Sequence, residues 1–194
     1  MTQAVFESSF DRRVRTACTF VQAGQHFVQC GGPGAISTFL GSCVAACIRD
    51  KELGIGGLNH FLLPFGPDDG DRSARYSVNA MELLINQILS FGASRCDLEA
   101  KIFGGASVLA TSSSNPVGEQ NGRFVKEFLK EEKIPILAKD LGGTRARRVY
   151  FFPNTGRASI LHVASSESID VEKTAAEYQN KLMGSVNSGY IELF

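Results

Sequence analysis

The stretch Thr38-Phe39-Leu40-Gly41-Ser42-Cys43-Val44-Ala45-Ala46-Cys47, continued through Gly54-Ile55-Gly56-Gly57-Leu58-Asn59-His60-Phe61-Leu62-Leu63-Pro64, decides how this chain is read. Between its halves lies Arg49-Asp50-Lys51-Glu52, a polar turn, so Val44 to Ile48 and Ile55 to Leu63 read as an antiparallel pair. A pair turning at residues 49–54 brings His60 back beside Cys43 or one residue pair away. A thiol is a useful nucleophile only as thiolate, and a neighbouring imidazole is the commonest way to make one near neutral pH. Gly41 and Ser42 are small enough to let backbone N–H groups approach a reacting carbonyl and hold its oxyanion. Ile36 to Leu40 and Val44 to Ile48 read as one strand kinked at Gly41-Ser42. The local chemistry is that of a Cys/His acyl-transfer site, with Cys43 as a partly accessible thiol.

Outward from this stretch, strand-like residues recur at Phe20-Val21 and Phe27-Val28. Further strands are expected at Leu98 to Phe103, Ile134 to Lys139, and a hairpin of Arg147 to Phe152 with Ala158 to Ala164. Ser77 reads as the N-cap of a helix whose stripe is Met81, Leu84, Ile85, Ile88 and Leu89, stopped by Gly92. Phe124, Val125, Phe128 and Leu129 mark the buried face of a second helix, and Val171 to Met183 has helical composition. Strands outnumber helices and occur in consecutive runs with no βαβ alternation. The fold class is therefore α+β, with β layers and the two main helices packed on one side. One domain is expected over residues 1–194, with a polar arm at 1–18 and a C-terminal extension at 165–194.

Composition narrows the function. The chain has 194 residues with 20 basic and 20 acidic side chains, so it carries no electrostatic footprint for nucleic acid or an anionic membrane. No apolar run approaches the roughly 20 residues that span a bilayer, and Met1 to Glu7 lacks the pattern of a signal peptide. Five cysteines at irregular spacing argue for reduced thiols and a cytoplasmic location. Cys43 and Cys47 have no second close pair of ligands, so no metal is expected; Cys47 reads as a core residue on the same strand face as Cys43. Gly104-Gly105 fits no nucleotide motif and reads as a place where backbone passes close to a neighbour or to the rim of the site. Arg145, Arg147 and Arg148 form a basic cluster: a solvated strand start or a contact surface for an acidic partner.

The run Thr38 to Pro64 resembles the signature of the CheD family, the chemoreceptor glutamine deamidases of bacterial chemotaxis. Further segments resemble the family in the same order: Ala80 to Asn86, Leu98 to Ala106, Gly118-Glu119-Gln120-Asn121, and Asp140 to Val149. The likeness covers roughly residues 20–163.

What the resemblance implies is a protein-glutamine amidohydrolase with a layered α/β/β fold similar to bacterial toxin deamidases. On matching positions Cys43 is the nucleophile and His60 its base. The third catalytic residue is a threonine shortly upstream of the cysteine. Thr38 matches by residue type and Ser37 by spacing, and in a strand the two face opposite ways, so only one can serve. The substrates would be the cytoplasmic helices of methyl-accepting chemotaxis receptors, with hydrolysis of glutamyl methyl esters as a side activity and no cofactor. The alternative is a regulatory module that binds a CheC-type chemotaxis phosphatase.

Overall fold

A computed structural model describes residues 8–62, 70–108 and 117–163, with the isolated positions 173, 174 and 177. In chain order its elements are β1 (Ser8–Asp11), β2 (Thr16–Phe20), β3 (His26–Cys30), β4 (Ala35–Leu40), β5 (Val44–Asp50), β6 (Ile55–Asn59), α1 (Gly70–Ser90), β7 (Leu98–Gly104), α2 (Val117–Glu131), β8 (Ile136–Leu141), β9 (Arg147–Phe152) and β10 (Arg157–His162). The strands form two mixed five-stranded sheets. The first has the order β1-β2-β4-β9-β10 and the second β3-β6-β5-β7-β8.

Each element follows from its side chains. Along β5, Val44, Ala46 and Ile48 face the helices, whereas Ala45 and Cys47 face the other sheet. A strand covered on both faces loses polar alternation, which is why this run is apolar throughout and built of small residues. Helix α1 lies against β3, β5 and β6, and α2 against β5, β7 and β8, so both helices cover one side of the second sheet. Its other side meets the first sheet through Ile36, Leu40, Leu58, Leu62, Val149 and Phe151. The layers are therefore α, β, β. Among the described residues no helix is long and apolar enough to cross a membrane.

The antiparallel pairing of β5 with β6 and the β9–β10 hairpin form as the sequence predicts. Several expectations are corrected. Strands β4 and β5 are not one kinked strand: they belong to different sheets, and Gly41-Ser42-Cys43 carries the chain across the gap between them. One βαβ unit exists after all, because β7 and β8 pair in parallel and α2 is the crossover. Helix α1 starts at Gly70, so Ser77 is a buried interior residue rather than the cap. Part of the expected polar arm, residues 8–11, is a strand paired with β2. It is held by Asp11, whose carboxylate accepts from Tyr150 Oη and pairs with Arg148. Residues 63–69, the serine-rich stretch at 111–116 and nearly all of the C-terminal extension lie outside the described residues.

Candidate active site

Three consecutive peptide groups build the turn that carries Cys43. The Gly41 carbonyl accepts from Ala106 N at 2.8 Å, and the Cys43 carbonyl accepts from Gly105 N at 2.8 Å. Between them the Ser42 carbonyl accepts from Asn121 Nδ2 at 2.9 Å. The Gly104-Gly105 doublet has to be glycine for this: a Cβ on Gly104, at φ +114°, would stand 2.1 Å from the Cys43 carbonyl oxygen. These glycines thus bring backbone against the site rim, as the sequence suggests.

His60 arrives from the other side of the turn. An isolated antiparallel bridge joins Val44 to Phe61, each N–H bonding the other's carbonyl at 3.0 and 2.9 Å. Cys43 and His60, the residues preceding these two, are therefore diagonal neighbours across the pair, offset by two residues. Both lie on the side facing the first sheet, where Thr38 of β4 reaches across. Thr38 Oγ1 donates to the Val21 carbonyl at 2.7 Å and lies 2.8 Å from His60 Nδ1. A hydroxyl has one proton, and Val21 takes it. Thr38 must then accept from His60 Nδ1–H, which leaves Nε2 as the lone-pair nitrogen. Among the described residues, that Nε2 is buried without a hydrogen-bond partner. Burial pushes the imidazole down to about 4, against the opposing pull of the Val21 carbonyl, so His60 is neutral at physiological pH.

Placement decides the remaining candidates. Ser37 points to the opposite face of β4 from Thr38, and it is Thr38 that the structure places against His60. Cys43 is 1% exposed, which corrects its expected partial accessibility. Cys47 is equally buried on the same face, as expected of a core residue, and burial pushes its thiol far above the usual range despite the charge on Lys101. Of the three arginines, only Arg145 is exposed. Arg147 is corrected from surface to interior: it is 1% exposed, pairs with Asp140, and donates to the carbonyls of Asp140 and Gly142. Arg148 is largely taken up by Asp11 and by the rings of Phe39 and Tyr150. Among the described residues, no group of three His, Cys, Asp or Glu side chains is arranged to hold a metal ion.

Asn121 escaped the sequence reading as a site residue. Its signal was present: in α2 it lies on the buried stripe with Gly118, Gly122, Val125, Phe128 and Leu129, and a polar side chain on such a stripe needs a partner.

Comparison with known proteins bears on the family. The family profile described as "CheD chemotactic sensory transduction" matches residues 62–162. The protein named "Probable chemoreceptor glutamine deamidase CheD 1" from Dechloromonas aromatica (strain RCB) is 45% identical over 192 residues, covering 95% of this chain and 92% of that protein. A "Probable chemoreceptor glutamine deamidase CheD" from Xanthomonas campestris pv. campestris (strain B100) is 48% identical over 160 residues, 82% of this chain and 81% of its own. One of the same name from Janthinobacterium sp. (strain Marseille) is 42% identical over 197 residues, covering 100% of this chain and 95% of its own.

Proposed function

This chain belongs to the CheD family, and from that premise we propose how it works as a chemoreceptor glutamine deamidase: Cys43 attacks, His60 moves the protons, and Thr38 orients His60. The observation that carries this assignment is the chain Val21 carbonyl, Thr38 hydroxyl, His60 Nδ1, which leaves Nε2 unprotonated on the side of the sheet that Cys43 shares. A nucleophile, a base, and a third group that orients the base are the parts that thiol catalysis requires.

His60 Nε2 takes the Cys43 proton, and the thiolate attacks the side-chain amide carbon of a receptor glutamine. Backbone N–H groups at Ser42 and Cys43 receive the oxyanion. The tetrahedral intermediate collapses as the imidazolium gives its proton to the departing nitrogen, releasing ammonia and leaving a thioester. His60 then takes a proton from water, whose oxygen displaces sulfur to give glutamate and the free thiol. The imidazolium exists only beside a thiolate or a tetrahedral anion, which suits a ring that burial keeps neutral at rest. A glutamyl methyl ester would enter the same thioester with methanol as leaving group.

The substrates are the chemotaxis receptors, and we place the reaction on their cytoplasmic helices. The alternative, a regulatory module for a CheC-type phosphatase, requires none of the Thr38–His60–Cys43 alignment, so deamidation is preferred. The test is incubation of receptor cytoplasmic fragments with the wild-type protein and with Cys43→Ala, followed by peptide mass spectrometry. Conversion of glutamine to glutamate by the wild type alone is expected. Equal conversion by the variant would sink the assignment.

A further inference from the structure

We infer that Asn121 is a positioning residue for the oxyanion site, setting the direction in which the Cys43 N–H points. The inference rests on the catalytic reading of Cys43 given above. In a trans peptide the carbonyl and the N–H of one plane point opposite ways, so fixing one direction fixes the other. Asn121 Nδ2 holds the Ser42 carbonyl at 2.9 Å and thereby aims the Cys43 N–H away from α2. Ala106 N holds the Gly41 carbonyl at 2.8 Å and so aims the Ser42 N–H. Gly105 N holds the Cys43 carbonyl, and the N–H of that peptide belongs to Val44, which donates to Phe61.

Every peptide around the nucleophile is thus anchored from β7, the residues after it, or α2. Two of the three anchors are backbone groups. Asn121 is the one side chain among them, fully buried and 79 positions from Ser42 in the chain. Its placement depends on the close approach of α2 to the Gly104-Gly105 turn, where a Cβ on Gly118 would stand 2.4 Å from the Gly105 carbonyl oxygen. Such preorganisation acts where charge develops in the transition state and has no effect where none develops.

That difference supplies the test. Deamidation passes through an oxyanion, whereas alkylation of Cys43 by iodoacetamide displaces iodide at a saturated carbon: it needs the thiolate and the same opening of the buried thiol that the substrate needs, but no oxyanion site. Asn121→Ala and the isosteric Asn121→Asp, whose carboxylate sets lone pairs against the Ser42 carbonyl, are compared with the wild type. The expected result is a kcat on receptor fragments roughly 10- to 100-fold lower at nearly unchanged KM. The Cys43 alkylation rate, read by peptide mass spectrometry, should stay within about twofold, since thiolate formation is untouched. Deamidation at the wild-type rate overturns the inference. So does a parallel loss of alkylation, which would make Asn121 a support of the thiol or the fold. If the alanine variant does not fold, the aspartate variant decides; if neither folds, Asn121 is structural and the inference fails. Cys43→Ala separates the two readings. Activity in that variant defeats the catalytic assignment itself, whereas an inactive Cys43→Ala beside fully active Asn121 variants defeats only the role given to Asn121.

Discussion

Thr38 Oγ1 and His60 Nδ1, 2.8 Å apart, form a hydrogen bond between the two sheets: Thr38 belongs to β4 of the first, and His60 directly follows β6 of the second. The bond is fully buried, so neither atom has water as a substitute partner. It ties the alignment of the base to the docking of one sheet on the other.

Thr38→Val keeps the shape and removes the hydroxyl. It leaves the Val21 carbonyl and His60 Nδ1 without this partner, at a cost of about 1–3 kcal/mol in denaturant unfolding. Deamidation should fall roughly 10- to 100-fold as the imidazole loses its fixed tautomer. Thr38→Ser should recover most of both, and Ser37→Ala should leave the rate near wild type. A dead Ser37→Ala with an active Thr38→Val would reverse the register.

Cys43→Ala should abolish deamidation with a folded protein remaining. Cys47→Ala should retain activity and lose about 1 kcal/mol of stability, because its buried sulfur fills space in the core between the sheets. An active Cys43 variant beside an inactive, folded Cys47 variant would show that the wrong thiol has been chosen.

The buried imidazole makes stability depend on pH. His60 titrates near 4 when folded and near 6.5 when unfolded, so between these values the unfolded chain binds the extra proton. Stability is complete above about pH 6.5 and is lost as pH falls toward 4, by at most about 3.5 kcal/mol at roughly 1.4 kcal/mol per pKa unit. His26, lowered chiefly by burial, contributes in the same sense, so the measurement is the difference between wild type and His60→Gln. Thermal melts of the variant should show a shallower loss across this window. Parallel curves would mean that His60 is charged in the folded state.

Arg145 and Arg147 should behave in opposite ways. Arg147→Ala strips a buried partner from Asp140 and from two carbonyls, and should cost several kcal/mol, of the order of 2–4, lowering every activity together. Arg145→Glu should leave stability and hydrolysis of a small glutamine amide unchanged. It should reduce kcat/KM on receptor fragments at low ionic strength more than at high, because exposed charges steer encounter and are screened by salt. Equal loss on both substrates would remove Arg145 from the docking surface.

Local pattern was enough for the strands around Cys43 and His60, the hairpin at 147–162, and the buried stripes of both helices, because period and turn chemistry act between near neighbours. The Cys43–His60 diagonal was legible too, since both ends belong to one short antiparallel unit. The tertiary structure alone decided what depends on partners far along the chain. A glycine–serine interruption reads the same whether a strand kinks or crosses to another sheet; here Gly105 and Ala106 hold the crossing. Arg147 and Arg145 are indistinguishable in composition, and only the direction of one β9 residue into the space between the sheets separates interior from surface. That Thr38 rather than Ser37 meets His60 depends on which face of β4 is turned inward, and the bond from Asn121 to the Ser42 carbonyl on α2 lying over the turn. Strand alternation supplies two faces, but which face is inner is settled by packing, whose free energy comes from surfaces that no local segment contains.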